Sequence, residues 1–194
     1  HIGAYSNGYS LGEIIGRGGT SGIGVFSFDF GGFIVDGGHS LKSKSSFLPS
    51  SASQAKPPQL LAHYDFPDDW EILLVILDSK NTVNGQKEVN IFQDYCPVPK
   101  NEVEQTSHII FMNMIPFLLE RDLPAFGHSI DEIQKRGFKN VEVSLQSQQL
   151  RDLMDKLREI GAYGVGMSSF GPTVYSVFDK NNKHIVEELS LIHI

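Results

Sequence analysis

An α+β fold in two parts follows from three features of the sequence. A glycine-rich run, with glycines at 16, 18, 19, 22, 24, 31, 32, 37 and 38, joins a short helical pattern to two short strand-like runs. The second half carries helical stripes and closes on a strand, and a Ser-, Lys- and Pro-containing stretch at 40–62 parts the two regimes. At 194 residues, with 40% apolar residues and 13 Phe, the chain is long and apolar enough to bury a core as one domain or two small ones.

Ser10 is placed to cap a helix running to Ile15, with Glu13 three residues on and Leu11, Ile14 and Ile15 as its apolar positions; Gly16 ends it. Val25 to Phe30 alternates apolar and polar residues like a half-buried strand, and Phe33-Ile34-Val35 is a second apolar run. Gly31-Gly32 between them predicts a hairpin turn. Residues 40–62, with Pro49, Pro57 and Pro58, read as a long loop, and Trp70 to Leu77 (WEILLVIL) as a buried central strand. Asp78 to Gln86 is polar and turn-rich, with the split between the parts near residue 65 or 80. Pro99 to Arg121 is helical, with Val103, Ser107, Ile110, Met114, Phe117 and Leu118 on one face and an all-round apolar middle at 109–114 that predicts deep burial. Ile130 to Arg136 predicts a shorter helix ending at Gly137. Leu150, Leu153, Met154, Leu157 and Ile160 form a stripe of period 3.6 stopped by Gly161, and Thr173 to Phe178 is a strand.

Composition excludes several classes. Lys and Arg total 16 against 23 Asp and Glu, a net charge of −7, which argues against general nucleic-acid binding. Cys96 is the single cysteine, so there is neither a disulfide framework nor a cysteine metal cluster, and a reducing cytoplasmic setting is expected. No stretch reaches the ~18 apolar residues of a membrane span.

Three constellations carry chemistry. Arg17-Gly18-Gly19-Thr20-Ser21 combines backbone N–H groups that can cradle an anion with a fixed guanidinium and two hydroxyls; a plain tight turn is the competing reading. Its pattern is neither a P-loop nor a dinucleotide fingerprint. Asp36-Gly37-Gly38-His39 places a carboxylate three residues before an imidazole, suited to metal binding or proton relay, although turn chemistry explains the same residues. Gly164 to Pro172 (GVGMSSFGP) suits close backbone contact with a ligand or a simple hairpin connection, and its likeness to the first loop suggests that both line one cleft. Lys42 and Lys44 could close over an anion but read more simply as solvated loop lysines. His63, His108 and His128 lack metal-ligand spacing, and Cys96 lacks a neighbouring His.

Gly16 to Gly24 (GRGGTSGIG), Gly31 to Ser40 (GGFIVDGGHS) and Gly166 to Tyr175 (GMSSFGPTVY) resemble the β-ribofuranosylaminobenzene 5′-phosphate synthases. Phe47-Leu48-Pro49-Ser50, Phe66-Pro67 ahead of Trp70, and Gly127 within Phe126-Gly127-His128 also stand where that family has similar residues. The resemblance covers residues 10–178. It implies the GHMP superfamily, named for its galacto-, homoserine, mevalonate and phosphomevalonate kinases. In that architecture residues 1–80 would be the C-terminal portion of a ribosomal-S5-like first domain with its linker, and 81–188 a ferredoxin-like C-terminal domain.

The implied reaction joins 5-phosphoribosyl 1-pyrophosphate to 4-aminobenzoate or 4-hydroxybenzoate, releasing CO2 and pyrophosphate, with Mg2+, in cytoplasmic methanopterin biosynthesis of archaea. The implied partners are those two substrates, with no nucleic acid or membrane, and a homodimer is left open. Residue type and loop placement suggest Arg17 for a carboxylate or phosphate, and Asp36 and His39 for metal or water positioning. Gly18, Gly19, Thr20, Ser21, Gly166, Ser168 and Ser169 would contact substrate; no metal ligands are assigned. One departure separates the chain from the kinases: where mevalonate-type members carry Ser-Gly-hydrophobic-Asp, it has Ser21-Gly22-Ile23-Gly24, so the acid position holds Gly24. A GHMP-type small-molecule kinase and a non-catalytic ligand-binding protein on the same fold are the alternatives. The family's Gly-Leu-Gly-Ser phosphate loop is expected ahead of His1, so the chain reads as a truncated piece, inactive alone. Leu189 to Ile194 resembles a translated sequencing adapter and is set aside as a tail.

Overall fold

The computed structural model describes residues 7–40, 42–44, 46–78, 83–182, 184, 187 and 188. The expected tail at 189–194 and the expected boundary between 80 and 81 lie outside the described residues. The chain divides into two compact units, one of residues 1–66 and 84–96, the other of 67–83 and 97–194. The units therefore exchange segments along the chain.

The first unit opens with α1 (Gly8–Ile14), capped by the Asn7 side chain, which accepts from Ser10 N at 2.9 Å; Ser10 itself lies inside the helix. Residues Ile23–Phe30 form a helix, α2, which overturns the strand expected at Val25–Phe30. Adjacent Val25 and Phe26 are both buried while Phe28 and Phe30 are exposed, a helical and not an alternating burial pattern. Gly31, at φ +64°, ends α2 instead of turning a hairpin. β1 (Phe33–Asp36) pairs antiparallel with β2 (Leu60–Tyr64) across the long loop, Phe33 opposite Tyr64. One 3-10 turn, Ser50–Ala52, lies within that loop. Helix α3 (Gly85–Tyr95), unforeseen in the sequence, completes the unit.

In the second unit β3 (Trp70–Ile76), β5 (Thr173–Asp179) and β4 (Tyr163–Met167) form an antiparallel sheet in the order β3-β5-β4. The strand expected to be central is thus at an edge, and β5 takes the centre. Leu73, Val75 and Leu77 pack towards the core, whereas Ile72, Leu74 and Ile76 are exposed, Ile76 at 71%. α8 (Gln148–Glu159) lays Leu150, Leu153, Met154 and Leu157 against Val165, Met167, Val174 and Phe178, as its stripe foretold, and Gly161 at φ +90° follows its end.

The long helical segment is α4 (Lys100–His108), a π-helical stretch (Ile109–Met114) and α5 (Ile115–Glu120). Pro116 lacks an N–H and crowds the preceding turn; the wider π turn, in which Ile115 N donates to Ile110 O, accommodates it. The deep burial expected for 109–114 is only partial: Ile109 and Met114 are buried, but Phe111 and Met112 are exposed, Met112 at 63%.

α6 (Leu123–Gln134) begins earlier than expected, capped by Asp122, and α7 (Gly137–Ser144) follows Gly137. α6 crosses β4 at two glycines: a Cβ on Gly127 would lie 2.7 Å from Gly164 N, and one on Gly164 2.7 Å from Gly127 Cα. Asp131 Oδ1 then accepts from Val165 N at 3.2 Å and Gln134 Oε1 from Met167 N at 3.0 Å, so α6 satisfies the outer edge of β4. No helix among the described residues is long and apolar enough to cross a membrane.

Gly127→Ala should cost about 2–4 kcal/mol, because the backbones cannot separate without opening this edge, and urea unfolding measures it. On β5, Tyr175 lies across Gly166, and burial, with the charge of Asp131 adding, pushes its phenol from 10.0 to about 12. The folded state therefore favours the protonated phenol. Its contribution is full below pH ~10 and should be lost as pH rises from ~10 to ~12, and Tyr175→Phe should remove that part of the alkaline fall in stability.

Candidate functional site

The glycine loop between α1 and α2 is held from two sides. Gly18 takes φ +84° with the Pro57 ring packed where a side chain would stand, so the chain turns here only with glycine. Gly22, the N-cap of α2, has no side chain to satisfy the free N–H groups of the first turn. Asp36, at the end of β1, supplies the carboxylate instead: Oδ2 accepts from Gly22 N at 2.8 Å and from Ser21 Oγ at 3.0 Å, and Oδ1 from Gly38 N at 2.9 Å. On the other side Thr20 Oγ1 donates to Leu48 O at 2.7 Å, and Lys44 Nζ donates to Gly19 O, Leu48 O and Thr20 Oγ1 at 2.7, 2.7 and 3.0 Å. Lys44 is therefore a clamp on the loop, not a solvated lysine. Burial pulls its pKa below the usual lysine value.

This geometry sorts the residues singled out in the sequence. The hydroxyls of Thr20 and Ser21 and the Gly22 N–H are spent within the fold. Arg17 is exposed, its guanidinium has no hydrogen-bond or ion-pair partner among the described residues, and it lines a pocket of about 350 Å³ with Gly18, Ser21, Gly24, Leu11 and Phe28. Gly24 faces open space there: a side chain would meet nothing within 4 Å. His39 is half-buried and its Nε2 stands 2.8 Å from Lys56 O, an acceptor, so Nε2 carries a proton and donates it there.

Gly166, Ser168 and Ser169 belong to the other unit. Gly166 lies on β4 under the Tyr175 ring, so packing accounts for it. Ser168 to Pro172 is the β4–β5 hairpin connection, with Ser168 N donating to Thr173 O at 2.9 Å, Ser169 at φ +49° and a cis Gly171–Pro172 bond. Lys139 Nζ donates to Met167 O and Ser169 O, and Gln146 Nε2 to Phe170 O, which leaves the hydroxyls of Ser168 and Ser169 exposed and without partners among the described residues. No group of three or more His, Cys, Asp or Glu is placed to hold a metal among the described residues. Sequence reasoning missed Lys44 as a clamp, because its three acceptors come from segments up to 25 residues away.

Residues 114–190 match the family described as GHMP kinases C terminal. Three curated relatives are named beta-ribofuranosylphenol 5′-phosphate synthase. That of Methanothermobacter thermautotrophicus is 56% identical over 88% of this chain and 52% of its own length. That of Methanocaldococcus jannaschii is 49% identical over 94% and 55%, and that of Archaeoglobus fulgidus 50% identical over 88% and 52%. The chain thus spans about half the length of the curated relatives it matches. A homoserine kinase structure from Listeria monocytogenes aligns with 69% of this chain and 40% of its own, at 20% identity and a TM-score of 0.46.

Asp36→Ala removes the carboxylate that caps α2 and should cost about 1–2 kcal/mol in urea unfolding. Arg17→Ala, which removes no hydrogen bond or ion pair among the described residues, should change stability by less than about 0.5 kcal/mol.

Proposed function

From its homology to the archaeal β-ribofuranosylphenol 5′-phosphate synthases, with a GHMP C-terminal domain in its second unit, we propose that this chain is the larger part of such an enzyme's catalytic body. The reaction joins 5-phosphoribosyl 1-pyrophosphate to 4-hydroxybenzoate or 4-aminobenzoate. The relatives' name, which describes a phenol, favours the hydroxybenzoate. The ring carbon bearing the carboxylate attacks the anomeric ribose carbon as its bond to pyrophosphate breaks. The C–CO2 bond then breaks, its electron pair restores aromaticity, and CO2 and pyrophosphate leave.

The observation that carries this reading is identity of 49–56% along 88–94% of the chain. Gly24 supports it: the position has room for an acid, and a carboxylate there would serve deprotonation of a hydroxyl in a kinase. Glycosyl transfer from pyrophosphate needs charge stabilisation at the leaving group instead. Arg17, exposed in its pocket and without a hydrogen-bond or ion-pair partner among the described residues, is suited to an anionic group of either substrate. The free hydroxyls of Ser168 and Ser169 are suited to phosphate oxygens. His39, with Nε2 committed to Lys56 O, leaves Nδ1 suited to hold a proton or a water.

The described residues do not form a magnesium cage: Asp36 already accepts three hydrogen bonds, and no carboxylate cluster accompanies it. A magnesium requirement, if measured, would belong to the pyrophosphate of the donor, the usual way this ion is held.

Release of labelled CO2 from carboxyl-labelled 4-hydroxybenzoate, dependent on 5-phosphoribosyl 1-pyrophosphate and indifferent to ATP, tests the reading on the protein at the length of its relatives. ATP consumption without CO2 release would favour a kinase, and substrate binding without turnover a non-catalytic protein. Arg17→Ala should lower kcat/KM about 10- to 100-fold at unchanged stability, the loss of one charge-assisted contact.

A further inference from the structure

The glycine loop borders a second pocket in the first unit. It is about 190 Å³ and is lined by Thr20, His39, Lys44, Ser46, Phe47, Leu48 and Phe92. Two phenyl rings and a leucine face one cation. That cation is unusual: Lys44 Nζ donates to three neutral oxygens, and no carboxylate pairs with it among the described residues. The titratable group that interacts with it is the Cys96 thiol, which burial pushes up, so the thiol stays neutral and does not offset the ammonium. A half-buried ammonium without a counter-ion favours an incoming anion.

The rest of the lining decides which anion. The hydroxyl of Thr20 is donated to Leu48 O and the Lys44 protons are all engaged, which leaves the Ser46 hydroxyl against a phosphate's many oxygens. Phe47 and Phe92 give the lining an aromatic surface suited to a flat apolar body. His39 Nε2 is spent on Lys56 O, and its Nδ1 remains to meet a hydroxyl or amine.

We propose that this pocket receives the aromatic acid of the synthase reaction, its carboxylate nearest Lys44, its ring against Phe47 and Phe92, and its para substituent nearest His39. The assignment rests on the synthase reading. It leaves the Arg17 pocket, on the same glycine loop, to the phosphorylated donor. The carboxylate-bearing carbon, which is the one that reacts, then lies nearest the loop that both pockets share.

Steady-state kinetics on the protein at the length of its relatives tests the assignment. Phe92→Ala should raise KM for 4-hydroxybenzoate about 10-fold or more and move KM for 5-phosphoribosyl 1-pyrophosphate less than about 2-fold. Benzoate should inhibit at least about 10-fold better than benzamide, and Lys44→Met should erase that difference, a result that a purely structural role for Lys44 would not produce. A rise in KM for the phosphorylated donor alone, or equal inhibition by benzoate and benzamide in the unmutated enzyme, would overturn the proposal. If Lys44→Met does not fold, Phe92→Ala and the comparison of the two inhibitors still decide. Absence of any CO2 release sinks the synthase reading itself. Equilibrium dialysis of 4-hydroxybenzoate against the unmutated and Phe92→Ala proteins then judges the pocket alone: tenfold weaker binding by the variant supports it, and equal binding overturns it.

Discussion

The approach of Gly127 to Gly164 is the constraint on which the second unit depends. A 2.7 Å clearance for any added carbon means that α6 and β4 touch through their backbones. Only at that separation do the short side-chain oxygens of Asp131 and Gln134 reach the amides of Val165 and Met167. Arg158 of α8 closes the arrangement, donating to Asp131 Oδ1 at 2.9 Å and to Val165 O at 3.2 Å. One pair of missing side chains thus lets three charged or polar side chains finish a sheet edge that would otherwise lie open. The sheet beneath α8 and the hairpin that ends β4 are both positioned by it.

In the first unit the same logic is electrostatic. The glycine loop has little side-chain packing of its own, and a carboxylate and an ammonium fix it: Asp36 at the start of α2, Lys44 on the carbonyls of Gly19 and Leu48. Each charge is matched to the dipoles it meets, the carboxylate to N–H groups and the ammonium to C=O groups. What the clamps leave unspent is Arg17 on one side and an aromatic recess on the other. A loop held this way can border two pockets with little rearrangement of its own.

Those elements with long, strong periodicity were legible. The α8 stripe, the Gly161 stop and the β5 strand stand where the residue pattern put them, because buried positions at fixed spacing admit few alternatives. Val25 to Phe30 misled, since six alternating residues fit a strand as well as a helix. What decided for the helix was a carboxylate 14 residues away from Gly22, which no local pattern reveals. The edge position of β3 was hidden for a related reason: a run of apolar residues announces burial, yet half of this run faces out. At the candidate site Arg17, Asp36 and His39 were legible as chemistry, but not that Asp36 would be engaged by three donors. Lys44 was passed over because its surroundings read as a solvated loop, and its partners assemble only in the folded chain.

The exchange of segments between the units bears on how the protein is made. β3 leaves the ribosome before α3, yet its pairing partner β5 follows about a hundred residues later. Until then a strand with Ile72, Leu74 and Ile76 on one face and Leu73, Val75 and Leu77 on the other has no neighbour to pair with. The first unit, meanwhile, lacks Phe92 until α3 emerges, so its aromatic recess is incomplete while β3 waits. Neither unit can be cut out as one continuous stretch of chain. Synthesis therefore passes through a state in which the nascent polypeptide carries β3 before the partner that pairs with it.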